Sequence, residues 1–389
     1  MSTPGRERIA AAVLLVLAPA LFWGCLEAGA RLAGVDPLSE DESYLAYVRE
    51  RGCQFGWRAA ASACALDRFD HGERKLLVAL GGSSVFGYPA WTPSFAPKLD
   101  GLLKRAAPRR WRVVNRGYSC KNSYFVQDCA RRALEAGADV LVIYAGHNDF
   151  ADYGVWNPSR KIWLEKIAWV YDLENWLARS SAFSLLIGLL RSEAAPEWFP
   201  PQPDPERMAA AQEIVLEAYT RNLTSIIEAA AGSDAQIILS TIVSNLYEFP
   251  VKRDEWDSSP LFDPDERPDL IPWAERYREG IVMHRAGDFD GALSAFSAAR
   301  DRFMRGRAPA MLNERIRELA SRHEHVELVD FERRLHARAR MGIGCNFFGD
   351  ESYCDQFHPN DRTQEMIARA LLLKMREMGL VPERDRRQL

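Results

Sequence analysis

The chain lacks most of the features that announce a bound cofactor or a nucleic acid. It has no Cys-x-x-Cys pair, and its seven histidines and seven cysteines show no spacing that suggests zinc. No Gly-Lys-Ser/Thr follows its glycine-rich turn, which excludes a phosphate-binding P-loop. It has no basic excess: 50 Lys+Arg stand against 54 Asp+Glu, a formal net charge of −4. A pI near 6.1 argues against a protein whose main task is gripping nucleic acid. Nor is it polar-biased: 47% hydrophobic and 27% charged residues exclude a mainly disordered or fibrous chain. What is there is 389 residues, enough for two or three units or for one large α/β domain with insertions.

One apolar block stands out. Ile9 to Trp23 carries no charge, and Gly24, Cys25 and Leu26 extend the run to 18 residues before Glu27. As a helix it would reach about 27 Å against a hydrocarbon core of about 30 Å. Arg6 and Arg8 precede it, while Glu27, Asp36, Glu40, Asp41 and Glu42 follow with Arg31 as the lone nearby cation. The positive-inside rule then puts the N-terminus in the cytoplasm and the bulk outside it. An uncleaved single-pass signal anchor over residues 1–28 fits the long run better than a secretion signal cleaved near Ala28-Gly29-Ala30. Phe22 and Trp23 argue against lipidation of Cys25, and an all-round apolar helix at an extreme terminus is rarely core. The other six cysteines fall in close pairs, Cys53/Cys64, Cys120/Cys129 and Cys345/Cys354. Local disulfides are the simplest expectation in an oxidising compartment, with buried thiols as the alternative.

After a mixed juxtamembrane stretch over 29–72, apolar runs alternate with helical patterns. The runs are Lys75–Leu80, Trp111–Asn115, Asp139–Tyr144, Ala235–Thr241 and Val326–Phe331. Five short strands with helices between them predict a parallel sheet covered on both faces. Ligands of such sheets bind at the carboxyl ends of the strands. Two stretches break the alternation. Residues 156–205 are rich in tryptophan (Trp156, Trp163, Trp169, Trp176, Trp198), contain an apolar helix near Ala182–Leu190 and end in a proline cluster, which reads as a helical insertion. Residues 251–308 predict a helical hairpin, in which Gly280, Gly287, Ala292, Phe296 and Ala299 have the small/large spacing of one tetratricopeptide-like unit. An ordinary two-helix hairpin explains the same residues. The C-terminal tail is 381–389.

Four motifs carry residues that can do chemistry, each after or near a strand end. Gly81-Gly82-Ser83 presents a serine after a buried strand, although Gly/Ser turns are common. Asn115 to Ser123 follows the second strand as a polar turn, with Gly117 and Cys120 inside it. Gly146-His147-Asn148-Asp149 follows the third; an asparagine there can aim its amide at an oxyanion or simply cap a helix. His147 tempts as a base, but a histidine in a tight polar loop is more often an orienting residue. Asp355-Gln356-Phe357-His358 places a carboxylate and an imidazole on one turn. The carboxylate can hold the Nδ1–H and leave Nε2 as a base for a serine.

In this order the four motifs resemble the SGNH (GDSL-like) hydrolase family, over most of residues 73–155 and 206–380. The resemblance implies a three-layer, flavodoxin-like α/β/α fold with a five-stranded parallel sheet, and a hydrolase domain spanning 73–380. It implies that Ser83 is the nucleophile, in a Gly-Gly-Ser form of the usual Gly-Asp-Ser, and that Asp355 and His358 are its partners. The backbone N–H groups of Ser83 and Cys120 and the amide of Asn148 would form the oxyanion hole, with Gly82, Gly117 and Gly146 in support. The family's oxyanion glycine falls on Cys120, whose side chain narrows the pocket toward small acyl groups. The stretches Tyr144-Ala-Gly-His-Asn-Asp149 and Thr241-Ile-Val-Ser-Asn245 and the hairpin insertion are similar to a bacterial membrane-anchored subgroup.

The expected function is an extracytoplasmic, periplasm-facing serine esterase acting on a small acyl ester, acetyl included, of a glycan or lipid. It needs no metal or nucleotide and has no nucleic-acid partner. Two readings compete: an envelope polysaccharide O-acetyltransferase or acetylesterase using the same residues, and a catalytically weak scaffold or glycan-binding protein whose helical insertions recruit a protein partner.

Overall fold

The structure, a computed structural model, describes residues 21–34, 73–88, 93–118, 121–150, 180–190, 205–248, 253–263, 270–302, 307–340 and 352–383, with 251, 265 and 349 as single residues. The chain divides into two units, one of residues 1–61 and 167–196 and the other of 62–166 and 197–389.

The larger unit is built on five parallel strands: β1 Lys75–Gly81, β2 Trp111–Gly117, β3 Val140–Tyr144, β4 Gln236–Ser240 and β5 Val326–Val329. All five expected strands are present, with ends displaced by one or two residues. β3 is buried at every position and β1 at all but its first, because strands covered on both faces read as unbroken Val, Ile and Leu. The order is β2-β1-β3-β4-β5, the flavodoxin-like arrangement. Its direction reverses at β1, so β1 and β3 diverge there and leave a crevice at their carboxyl ends.

Helices follow each strand: α1 Ser83–Phe86, α2 Phe95–Ala106 and α3 Ser123–Glu135. α4 Ser181–Leu190 belongs to the smaller unit. α5 Pro205–Ala231, the hairpin α6 Ile271–Arg285 and α7 Phe289–Asp301, α8 Ala310–Arg322, α9 Phe331–Arg340 and α10 Asp361–Glu377 complete the set. α10 packs on α2, while α3 and α8 pack on α5, so two helical groups cover the sheet.

Within the hairpin, α6 turns into α7 at Gly287, whose φ of +81° suits glycine, and Asp288 caps α7 by accepting the Gly291 N–H at 2.9 Å. Gly280 faces the Phe296 ring so closely that a Cβ there would lie 2.9 Å from it. The small/large spacing in the sequence is the record of this contact.

In the smaller unit, residues 21–32 are helical. Glu27 on that segment accepts from Ser180 Oγ at 2.7 Å and from Ala182 N at 2.9 Å, capping α4. Among the described residues no helix is long and apolar enough to cross a membrane. Residues 1–20, which hold most of the expected anchor, the tryptophan-rich stretch 156–179 and Cys53, Cys64, Cys120 and Cys345 lie outside the described residues.

The cysteine expectations divide. Cys129 is buried and disulfide-bonded, with its partner outside the described residues. The expected Cys345/Cys354 pair falls on Cys345, outside the described residues; Cys354 itself is exposed in the tight turn that carries Asp355, and its N–H donates to His358 O at 2.8 Å.

Candidate active site

The site lies at the carboxyl edge of β1 and β3. Gly81 ends β1, Gly82 stands at the N-cap of α1, and Ser83 opens that one-turn helix with its side chain buried. Gly82 is where the family pattern has aspartate. Here a Cβ would come 2.4 Å from Asn148 Nδ2, so glycine is what lets the amide lie over the turn. A Cβ on Gly117 would lie 2.3 Å from Phe86 N; glycine at the end of β2 lets α1 pack directly on that strand.

The other half of the site is a turn before α10. Tyr353 bridges Pro359, and Asn360 N donates to Ser352 O at 2.9 Å, which closes the segment into a narrow loop. Inside it, Asp355 Oδ1 accepts from the N–H groups of Phe357 (3.0 Å) and His358 (2.9 Å). Asp355 Oδ2 accepts from His358 Nδ1 at 2.6 Å, and His358 Nε2 stands 2.6 Å from Ser83 Oγ. The carboxylate accepts only, so Nδ1 carries the proton and Nε2 is left to accept from the serine hydroxyl. Burial raises the Asp355 carboxyl, but the hydrogen bond and charge of His358 and the two N–H groups outweigh it and hold it below 3.8. Asp355 is therefore ionised near neutrality. Tyr88 covers the imidazole, its ring centroid 4.6 Å away.

Asn148 is buried on the β3 side, donates Nδ2 to Lys121 O at 2.9 Å with one of its two amide hydrogens, and lies against Gly82. Gly146 and Asn148 line a cavity with Gly82, Ser83, Ile242 and Phe357. Its volume, about 10 Å³, is room for about one water molecule. Cys120 lies outside the described residues, so its N–H is not placed.

His147 does something else. Its Nε2 meets Val243 O at 3.1 Å and its Nδ1 accepts from Ala308 N at 3.2 Å, so both nitrogens are engaged away from Ser83. Complete burial lowers it to about 3. A permanently neutral, doubly bonded imidazole ties three loops together and is no general base.

Some site residues were not singled out in the sequence. Asp149 accepts the Ser123 N–H at 3.0 Å and fixes the start of α3. Asn115 and Gln364 hold α1. Asn115 was visible as the first residue of a motif, whereas Gln364 belongs to no motif and only its place in line with the apolar face of α10 marks it. Among the described residues no cluster of His, Cys, Asp and Glu could hold a metal ion.

Fold and site together define a hydrogen-bonded Ser-His-Asp triad, its serine and histidine buried, at the edge of a flavodoxin-like sheet. No protein-family model matches the chain, and no curated protein matches it. Among solved structures it is similar to a catalytic mutant of Axe2, an acetylxylan esterase from Geobacillus stearothermophilus, at 15% identity and a TM-score of 0.42 over 81% of this chain and 99% of that one. It is also similar to a lipolytic G-D-S-L family member from Veillonella parvula, at 11% identity and a TM-score of 0.37 over 77% and 97%. A GDSL-like lipase from Bacteroides thetaiotaomicron matches at 14% identity and a TM-score of 0.38 over 83% and 97%. Likeness this distant assigns no activity, and the functional reading rests on the site's geometry.

Proposed function

We propose that the chain is an SGNH-type serine esterase that hydrolyses a small acyl ester through a covalent acyl-enzyme. The observation that carries this is the continuous hydrogen-bonded chain from Ser83 Oγ through His358 to ionised Asp355. His358 Nε2 takes the serine proton as Oγ attacks the ester carbonyl, and Asp355 stabilises the imidazolium that forms. His358 then returns the proton to the leaving alcohol. Water, activated by the same imidazole, releases the acid and restores Ser83. Asn148 Nδ2 and the Ser83 N–H bind the oxyanion; Cys120 N–H is assigned as the third donor from the sequence pattern. One such donor is worth roughly 3–4 kcal/mol of barrier. Cys120, standing where the family's oxyanion glycine falls, supports a small acyl group such as acetyl, carried on a glycan or lipid.

The same proposal puts the catalytic unit, residues 73–380, outside the cytoplasm behind a single N-terminal anchor. The charge-free run to Leu26 after Arg6 and Arg8 and the disulfide at Cys129 support that placement. The test is turnover of p-nitrophenyl acetate by the purified full-length protein. Turnover is expected in the wild type and is expected to collapse in His358→Ala; equal turnover in that variant would remove His358 as the base.

A further inference from the structure

We propose that Gln364 is a positioning residue that sets Ser83 against His358, an inference that rests on the esterase reading above. The need for it arises in α1. A helix leaves its last four carbonyls without partners in the helix, and α1 is only four residues long. Ser83 O is served by Gly87 N at 2.9 Å and Tyr88 N at 3.0 Å. The Tyr88 N–H that would continue the ladder to Ser84 O is thereby taken. The residue that would serve Val85 O is Pro89, which has no N–H. Ser84 and Val85 are both buried, so water does not replace these partners.

Two side-chain amides from elsewhere in the chain fill the gap. Asn115 Nδ2 donates to Val85 O at 2.7 Å, and Gln364 Nε2 donates to Ser84 O at 2.9 Å. They differ in what they are tied to. Asn115 stands on β2 and fastens α1 to the sheet. Gln364 stands in the first turn of α10, six residues after His358, and its own N–H bonds Asn360 O at 2.9 Å. Its Oε1 accepts the Phe95 N–H at the start of α2 at 2.8 Å, and the residue has no exposed surface. One buried amide therefore joins the residue after the nucleophile, the N-terminus of α2 and the helix that follows the base.

Ser83 and His358 are 275 positions apart, and their 2.6 Å contact depends on how α1 and the α10 turn are held. A shift of about 1 Å in reacting groups can cost about 100-fold in rate. The nearby Lys98–Asp361 ion pair at 2.7 Å also links α2 to α10, but Asp361 is exposed, and such pairs hold geometry weakly. Gln364 touches neither substrate nor reacting atoms; it acts through Ser84.

The test uses two variants of the full-length protein. Gln364→Glu keeps the length and the acceptor for Phe95 N but sets a carboxylate against Ser84 O. Gln364→Met keeps the volume, loses both bonds and buries no charge. p-Nitrophenyl acetate kinetics are read beside labelling by a fluorophosphonate, whose plateau counts the active molecules. In both variants kcat and the labelling rate of the active fraction are expected to fall about 10- to 100-fold. KM should stay within about two-fold, since ground-state contacts are untouched. A lower plateau with unchanged kcat and labelling rate in the labelled fraction would make Gln364 merely structural and overturn the proposal. A wild-type chain that takes no label at Ser83 would overturn the esterase reading, and this proposal with it.

Discussion

At the carboxyl edge of the sheet the buried groups are polar. Ser83, Asn148, His358 and Gln364 lie out of solvent, each held by hydrogen bonds to a named partner. In the hairpin α6–α7 the largest buried groups are rings. Phe296 packs on Tyr277 at 4.8 Å and on Tyr247 at 4.9 Å between centroids, and Trp273 packs on Tyr277 at 5.1 Å. Hydrogen bonds fix direction and contribute little net energy, whereas ring burial contributes energy with looser direction. The two regions should therefore fail differently: substitutions at the edge change the rate of a folded protein, and substitutions in the hairpin change how much protein is folded.

Four outcomes test that division, the largest first. Ser83→Ala should lower p-nitrophenyl acetate turnover by about 10⁴- to 10⁶-fold with an unchanged melting curve. Phe296→Ala should cost about 3–5 kcal/mol in denaturant unfolding, because Gly280 leaves nothing to close the cavity, while kcat/KM of the folded fraction holds. A rate loss without a stability loss in that variant would break the comparison. Asn148→Ala should lower kcat by about 10²- to 10³-fold with little change in KM.

The smallest effect is in pH dependence. The neutral His147 has a folded value of about 3 against an ordinary 6.5, so between these values the unfolded chain binds the extra proton. Its contribution is complete above pH 6.5 and declines as pH falls toward 3, which a series of melting curves would follow. His147→Gln should flatten that decline. Asp355 acts in the same direction but later, below 3.8.

The fold was legible because each strand is a buried apolar run, such as Val140–Tyr144, and such runs have few alternative conformations available. Ser83, Asn148, Asp355 and His358 each stand in a short motif near a strand end, and turn chemistry makes such motifs visible locally. Gln364 was not legible. Its partners, Ser84 and Phe95, are 280 and 269 positions away; helical period aligns it with buried Ile367, Ala368, Leu371 and Met375, but does not show what its amide bonds. Yet a signal was present: Pro89 has no N–H to offer Val85 O, four residues before it, so a helix as short as α1 must borrow donors from elsewhere in the chain.

The central claim, that Ser83 is an activated nucleophile, is tested most directly by the mass of its adduct. Full-length protein treated with a fluorophosphonate and digested should yield one modified peptide, with the phosphonyl group on Ser83. The adduct should be absent from Ser83→Ala and form much more slowly in His358→Ala. An unmodified Ser83, or an adduct on another residue, would contradict the account.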